Sequence, residues 1–273
     1  MTHDARRELL GELIDHAALF PPASMDMPEA MEADRVARGG DHAWMLGRFI
    51  CPASRLGELP VEAPRLSVVL DGGEGDLEAV HDARLAGREV ELVEARIDPA
   101  WIPDTQELVH AKLGEGVEAF WELAPGRGLR GAVAAVREAR AGAKIRCGGA
   151  TPAPPVEALA EFVAACRDAG VRFKATAGLH HAIRAGDAHG FLNVLAAAVF
   201  AYTDGLTAEE LMPLLAEEDP AAFAVDAAGL VVNDRSANAE QIAETRRDLF
   251  VAYGSCSFDE PVEDLTALGM LPG

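Results

Sequence analysis

Short β-rich runs alternate along the chain with amphipathic helical stretches, the pattern of βα units around a parallel sheet. Eight such units in 273 residues predict an α/β fold of the (β/α)8 TIM barrel class. The interval 176–249 is far longer than one crossover, so the connection between strands 7 and 8 is expected to be elaborated. The eight expected strands run over 13–19, 43–50, 65–70, 90–97, 117–123, 143–147, 171–176 and 249–254. The first is the weakest, which leaves a seven-stranded or open doubly wound sheet as the alternative. Helical periodicity falls over 27–38, 54–59, 76–86, 105–113, 128–141 and 155–169. The long interval reads as helices over 189–202 and 208–216, a hairpin over 223–233 turning at Ala227-Ala228-Gly229, and a helix over 236–248. No repeat or linker interrupts the chain. We therefore expect one domain over 1–273 with 178–248 as a helical and hairpin insertion, roofing whatever pocket forms at the strand ends.

The formal net charge of −21 is spread through the chain, and a field of that sign repels phosphate backbones and anionic lipid. Nucleic acid and membrane surfaces are thus set aside as partners. No uninterrupted apolar stretch reaches the ~20 residues of a bilayer crossing, and residues 1–7 are polar with no apolar run behind them, so a soluble, cytoplasmic protein is expected. A homo-oligomer is compatible with the sequence. Cys51, Cys147, Cys166 and Cys256 lie far apart with no Cys-x-x-Cys, so reduced thiols are expected, with no structural metal and no cofactor.

Of the 24 basic residues only Lys112, Lys144 and Lys174 are lysines. Two of them fall inside apolar, strand-like segments. Side chains alternate between the two faces of a strand, so if Val171, Phe173 and Ala175 pack under helices, then Arg172, Lys174 and Thr176 face the barrel interior. The same parity sends inward Lys144 and Arg146, then Glu118, Phe120 and Glu122, then Leu92, Glu94 and Arg96, and also Arg48. Near the strand ends this sets Arg48, Arg96, Lys144, Arg146 and Lys174 against Glu94 and Glu122, an excess of positive charge that predicts a small anionic substrate. The competing reading is a set of Glu–Arg pairs closing the barrel floor.

A lysine flanked by apolar groups and other cations loses proton affinity, which predicts a nucleophilic amine on Lys174 with Lys144 and Arg146 as its neighbours. The segment Ala169 to Gly178, with Phe173-Lys174-Ala175-Thr176-Ala177-Gly178 at its core, resembles the Schiff-base strand of deoxyribose-phosphate aldolase, Ala-Gly-Ala-Asp-Phe-(Ile/Val)-Lys-Thr-Ser-Thr-Gly. Lys144-Ile145-Arg146-Cys147-Gly148-Gly149 is similar to that family's second-lysine strand, Lys-Ala-Ser-Gly-Gly, which in the family follows the Schiff-base strand and here precedes it. The resemblance implies a class I aldolase of barrel fold with Lys174 as the imine-forming lysine. The stretches 14–22, 42–52, 174–181 and 254–261 resemble a family of uncharacterised bacterial proteins, which implies no activity.

His180 and His181 follow the Lys174 strand directly and are candidates for acid–base work beside Glu122. With carboxylates they also frame the alternative of a metal-dependent hydrolase or isomerase. Asp15 and Asp71 are further strand-end carboxylates. Gly148, Gly149, Ser255 and Ser257 lie at strand ends where backbone N–H groups can cradle an anion. The expectation is a lysine-dependent lyase acting on a small anionic carbonyl or sugar compound through Lys174, Lys144, Glu122, His180 and His181, with Arg48, Glu94, Arg96, Arg146 and Thr176 binding it. A non-catalytic barrel that binds an anionic metabolite is the reading from another class.

Overall fold

In a computed structural model, which describes residues 4–60, 62–73 and 75–271, eight parallel strands close into a barrel. They are β1 (Ile14–His16), β2 (Leu46–Pro52), β3 (Leu66–Val69), β4 (Val90–Arg96), β5 (Glu118–Glu122), β6 (Gly142–Arg146), β7 (Phe173–Thr176) and the closing strand β11 (Phe250–Ser255), which pairs with both β7 and β1. The doubtful first strand is therefore real, but short. Its register ends where the Ala17 N–H turns to the Ser255 carbonyl and the Phe20 N–H to the Ala17 carbonyl. Outward-facing Phe49, Trp121, Ile145, Phe173 and Tyr253 are fully buried beneath the helices, while Leu92, Phe120, Val251 and Ala252 form a separate apolar plug inside the barrel.

The helical layer consists of α2 (Met27–Gly39), α3 (Asp76–Leu85), α4 (Ile102–Leu113), α5 (Leu129–Glu138), α6 (Val156–Ala169), α7 (Phe191–Asp204) and α10 (Asp259–Ala267), with the short α1 (Ala5–Leu10) preceding β1. A 3-10 turn over Ala53–Glu58 replaces the helix between β2 and β3. Among the described residues no helix is long and apolar enough to cross a membrane.

The elaborated connection contains α7, α8 (Ala208–Ala216), an antiparallel sheet of β8 (Phe223–Val225), β9 (Gly229–Val232) and β10 (Arg235–Asn238), and α9 (Ala239–Asp248). Two details differ from the sequence reading. Residues 236–238, expected to open a helix, instead join Arg235 in a third strand, because Asn238 caps α9 by accepting from the Gln241 N–H and leaves its predecessors extended. The expected roof is absent: of residues 178–248 only Gly178, Leu179 and His180 line the cavity at the strand ends. The sheet lies instead beside α1, α7 and α9, and the Ala227 carbonyl accepts from the Ala5 N–H, so this part of the insertion sits toward the N-terminal end of the barrel.

Candidate active site

Strand register brings the chemistry together. Glu122 lies beside Lys144 and Lys144 beside Lys174, one row across β5, β6 and β7, while Glu94 projects from β4 and Asp15 from β1 into the same interior layer. Glu94 is the hub. Its Oε2 accepts from Lys144 Nζ at 2.9 Å, and its Oε1 accepts from Lys174 Nζ and from Ser67 Oγ, the latter at 2.5 Å. Lys174 Nζ also meets Asp15 Oδ2 at 2.6 Å. Lys144 Nζ lies 3.4 Å from Glu122 Oε2, and the Arg146 guanidinium spans both Glu122 oxygens at 3.2 and 3.3 Å. Asp15 is fixed by the Arg48 backbone N–H, 2.8 Å from its Oδ1, and fits only because residue 47 is glycine: a Cβ there would stand 2.4 Å from the same oxygen.

The cluster comprises three cations, Lys144, Arg146 and Lys174, and three carboxylates, Asp15, Glu94 and Glu122. The expected positive excess is therefore corrected to an internal balance, since Arg96 lies elsewhere and Arg48, whose Nη1 is 3.6 Å from Asp15 Oδ1, is matched by its closer pair with Glu91. Arg48 pairs with Glu91 at 2.7 Å among residues at the strand starts, with Arg65, Glu12 and the buried Arg246, whose burial pulls its pKa down to about 10. There the Glu–Arg closure of the floor is what the structure contains. Arg96 is exposed and lines a separate surface depression near Arg127.

Burial and charge set the protonation of this layer. Burial alone would push the Glu94 carboxyl up, but Lys144 and Lys174 together hold it well below the usual carboxylate range. Burial would likewise lower Lys174, yet Asp15 and Glu94 outweigh it and hold the ammonium above its ordinary value. This reverses the expectation of a freed Lys174 amine, and Lys174 is only 1 % exposed and does not line the cavity. The reason is that desolvation competes with two carboxylates in contact, one of which, Asp15, comes from a three-residue strand.

A cavity of about 130 Å³ opens at the C-terminal ends of the strands, where barrel enzymes place their chemistry. Lys144, Arg146, Glu94, Thr176, His180 and Ser255 are among its walls, with Gly149, Gly178 and Gly254 contributing backbone. Gly178 has φ of +73° and approaches so closely that a Cβ would lie 2.7 Å from the Gly148 Cα. Gly148 thus packs loop against loop and does not itself line the cavity. Ser255 Oγ donates to the Ser257 carbonyl at 2.6 Å, and Ser257 faces an outer groove between α2 and the start of α10.

The histidines diverge. His180 faces the cavity with Nδ1 3.4 Å from Glu260 Oε2 and 3.8 Å from Cys256 Sγ. Cys256, opposed by partial burial and aided by Glu260, raises its pKa above the ordinary imidazole value. His181 turns outward to Asp264 Oδ2 at 3.2 Å, away from the cavity walls, and ties its loop to α10. The two do not share a site, and among the described residues no three His, Cys, Asp or Glu side chains are grouped to hold a metal. His189 is buried and held neutral by that burial, with Nε2 2.7 Å from the Pro154 carbonyl and Nδ1 accepting from Arg184. Asp71 holds Ser54, accepting from its N–H and hydroxyl, as a loop-fixing residue does.

Three site residues escaped the sequence reading. Ser67 was accessible to it, because Leu66 and Val68 flank it on the outward face of β3. Cys256 and Glu260 were not, since only the packing of α10 against the His180 loop brings them together. Neither the models of protein families nor the curated proteins compared with this chain match it.

Proposed function

We propose that the protein is a lysine-dependent, lyase-type enzyme in which Lys144 forms an imine with a small carbonyl compound, and Arg146 at the cavity wall receives an anionic group of that compound. The observation that carries this reading is the position of Lys144 Nζ: at the cavity wall, in contact with two carboxylates, with the buried Lys174 ammonium behind it. Closed parallel barrels with polar groups gathered at this end are a common frame for such chemistry.

Attack on a carbonyl carbon requires Lys144 to give up a proton, and Glu122, whose other partner is the half-exposed Arg146, is the receiver in contact. The nitrogen–carbon bond then forms, the carbonyl oxygen takes up protons and leaves as water, and the resulting iminium accepts the electron pair of a bond next to the former carbonyl carbon. Lys174 serves in this scheme as a fixed buried positive charge that keeps Glu94 ionised, and Glu94 in turn orients Lys144.

The test is incubation with a panel of phosphorylated and carboxylated aldehydes and ketones, borohydride reduction and peptide mass mapping. A reduced adduct on Lys144, lost in Lys144→Met and weakened in Lys174→Met, is the expected result. Adducts confined to the exposed Lys112, or none with any panel member, overturn the reading. Anion binding without adduct or turnover would favour the non-catalytic barrel.

A further inference from the structure

We propose that Cys256 and His180 form a second reactive centre in the same cavity, a thiol–imidazole pair that captures a small aldehyde as a hemithioacetal. The proposal uses groups that the amine chemistry leaves idle. Cys256 follows β11, is 8 % exposed, and lines both the inner cavity and the outer groove of about 860 Å³. Its Sγ faces His180 Nδ1 at 3.8 Å, and Glu260 Oε2 stands 3.4 Å from that same nitrogen. A proton leaving the thiol therefore arrives at a nitrogen already facing a carboxylate, so the product of the transfer, a thiolate beside an imidazolium, is stabilised from a third side. The raised proton affinity of His180 is consistent with that geometry.

Among the described residues the other thiols lack such a partner. Burial pushes Cys51 and Cys147 up to about 12 and Cys166 higher still, and among the described residues no histidine stands against any of them. Lys144 and Arg146 from β6 and Glu94 from β4 share the inner cavity with the pair, while Glu29 and Glu32 from α2, Asp259 and Glu260 from α10, and His16, paired with Asp34, share the outer groove with Cys256.

In the reaction the Cys256 sulfur–carbon bond forms and the carbonyl π bond breaks. The thiol proton passes to His180 Nδ1 and then to the carbonyl oxygen, so no oxidant, reductant or leaving group is required. An aldehyde matches the inner cavity in size and polarity, since a space of about 130 Å³ walled by Lys144, Arg146 and His180 accepts a few heavy atoms carrying a polar group.

Iodoacetamide is the probe, because its carbon takes the same thiolate and expels iodide irreversibly. The folded full chain is alkylated over pH 5 to 9 and mapped by mass spectrometry, for the parent, His180→Gln and Glu260→Gln, with circular dichroism as the check on folding. In the parent we expect Cys256 to react with a rate that levels off below the ordinary thiol range near 8.5, to fall at least about tenfold at pH 7 in His180→Gln, and to regain there a simple thiol titration. Glyceraldehyde should slow the parent reaction competitively. An unchanged rate and pH profile in His180→Gln, or no protection by glyceraldehyde, overturns the proposal. Where His180→Gln is misfolded, Glu260→Gln decides: an upward shift of its rate–pH profile is required, because the imidazolium has lost its carboxylate. Glyceraldehyde protection is measured in Lys144→Met as well, where no imine can form in the shared cavity, and must persist there; its loss in that variant overturns the hemithioacetal without touching the imine reading.

Discussion

At the scale of single residues, Glu94 decides the electrostatics of the interior, because among the described residues it alone contacts both buried lysines, and it is completed by Ser67. Its folded pKa is depressed, so its contribution to stability is fully present above the unfolded value near 4.3 and is lost as pH falls toward the folded value. Lys174 has the opposite sign: its folded pKa is raised, so its contribution is complete below an unfolded value near 10.4 and is lost as pH rises through the folded one. Glu94→Gln leaves two buried ammonium groups without their shared carboxylate, and we expect a loss of about 3–5 kcal/mol near neutral pH. It should also flatten the acid limb of the stability curve. Urea unfolding at a series of pH values checks both. Glu118→Gln is the control, since its ion pair with Arg172 is exposed and should cost less than about 1 kcal/mol.

At the scale of elements, the insertion between β7 and β11 separates into a short stretch that touches the site and a larger body that does not. Gly178, Leu179 and His180 line the cavity, whereas β8, β9 and β10 pack beside α1, α7 and α9. Leu230 and Val232 of β9 are buried where the sheet packs against these helices. Leu230→Ala should therefore lower stability by about 2–4 kcal/mol through cavity formation. Borohydride labelling of Lys144 in that variant should stay at the parent rate, and a proportional loss of labelling would mean that the sheet reaches the site.

At the scale of the whole molecule, a net charge of −21 surrounds a cavity cluster whose three cations and three carboxylates balance. An anionic ligand must cross that field, so raising ionic strength from about 10 to about 150 mM should speed its capture. Rates of borohydride-trapped adduct formation should rise with salt for a keto acid and stay level for a neutral ketone; a fall for the keto acid would contradict the charge argument. Parity and periodicity, both local properties of the chain, were enough to give the eight-stranded barrel, the long connection before the last strand, and the inward direction of Glu94, Glu122, Lys144, Arg146 and Lys174. Height along the barrel axis was not local. Arg48 and Lys174 share an inward parity, yet Arg48 lies with Glu91 and Arg65 near the strand starts, because strand stagger sets which layer a residue joins. The state of Lys174 was also beyond the sequence, since it depends on Asp15 arriving from β1, 159 positions away along the chain and adjacent only once the barrel closes. So too was the meeting of Cys256, His180 and Glu260, which requires α10 to fold back over the β7 loop. The sequence by itself determined which faces are apolar and which side chains point inward, because those follow from the alternation of the backbone. Closure of the barrel decided which charges touch, because contact between ions depends on through-space distance that no spacing along the chain encodes.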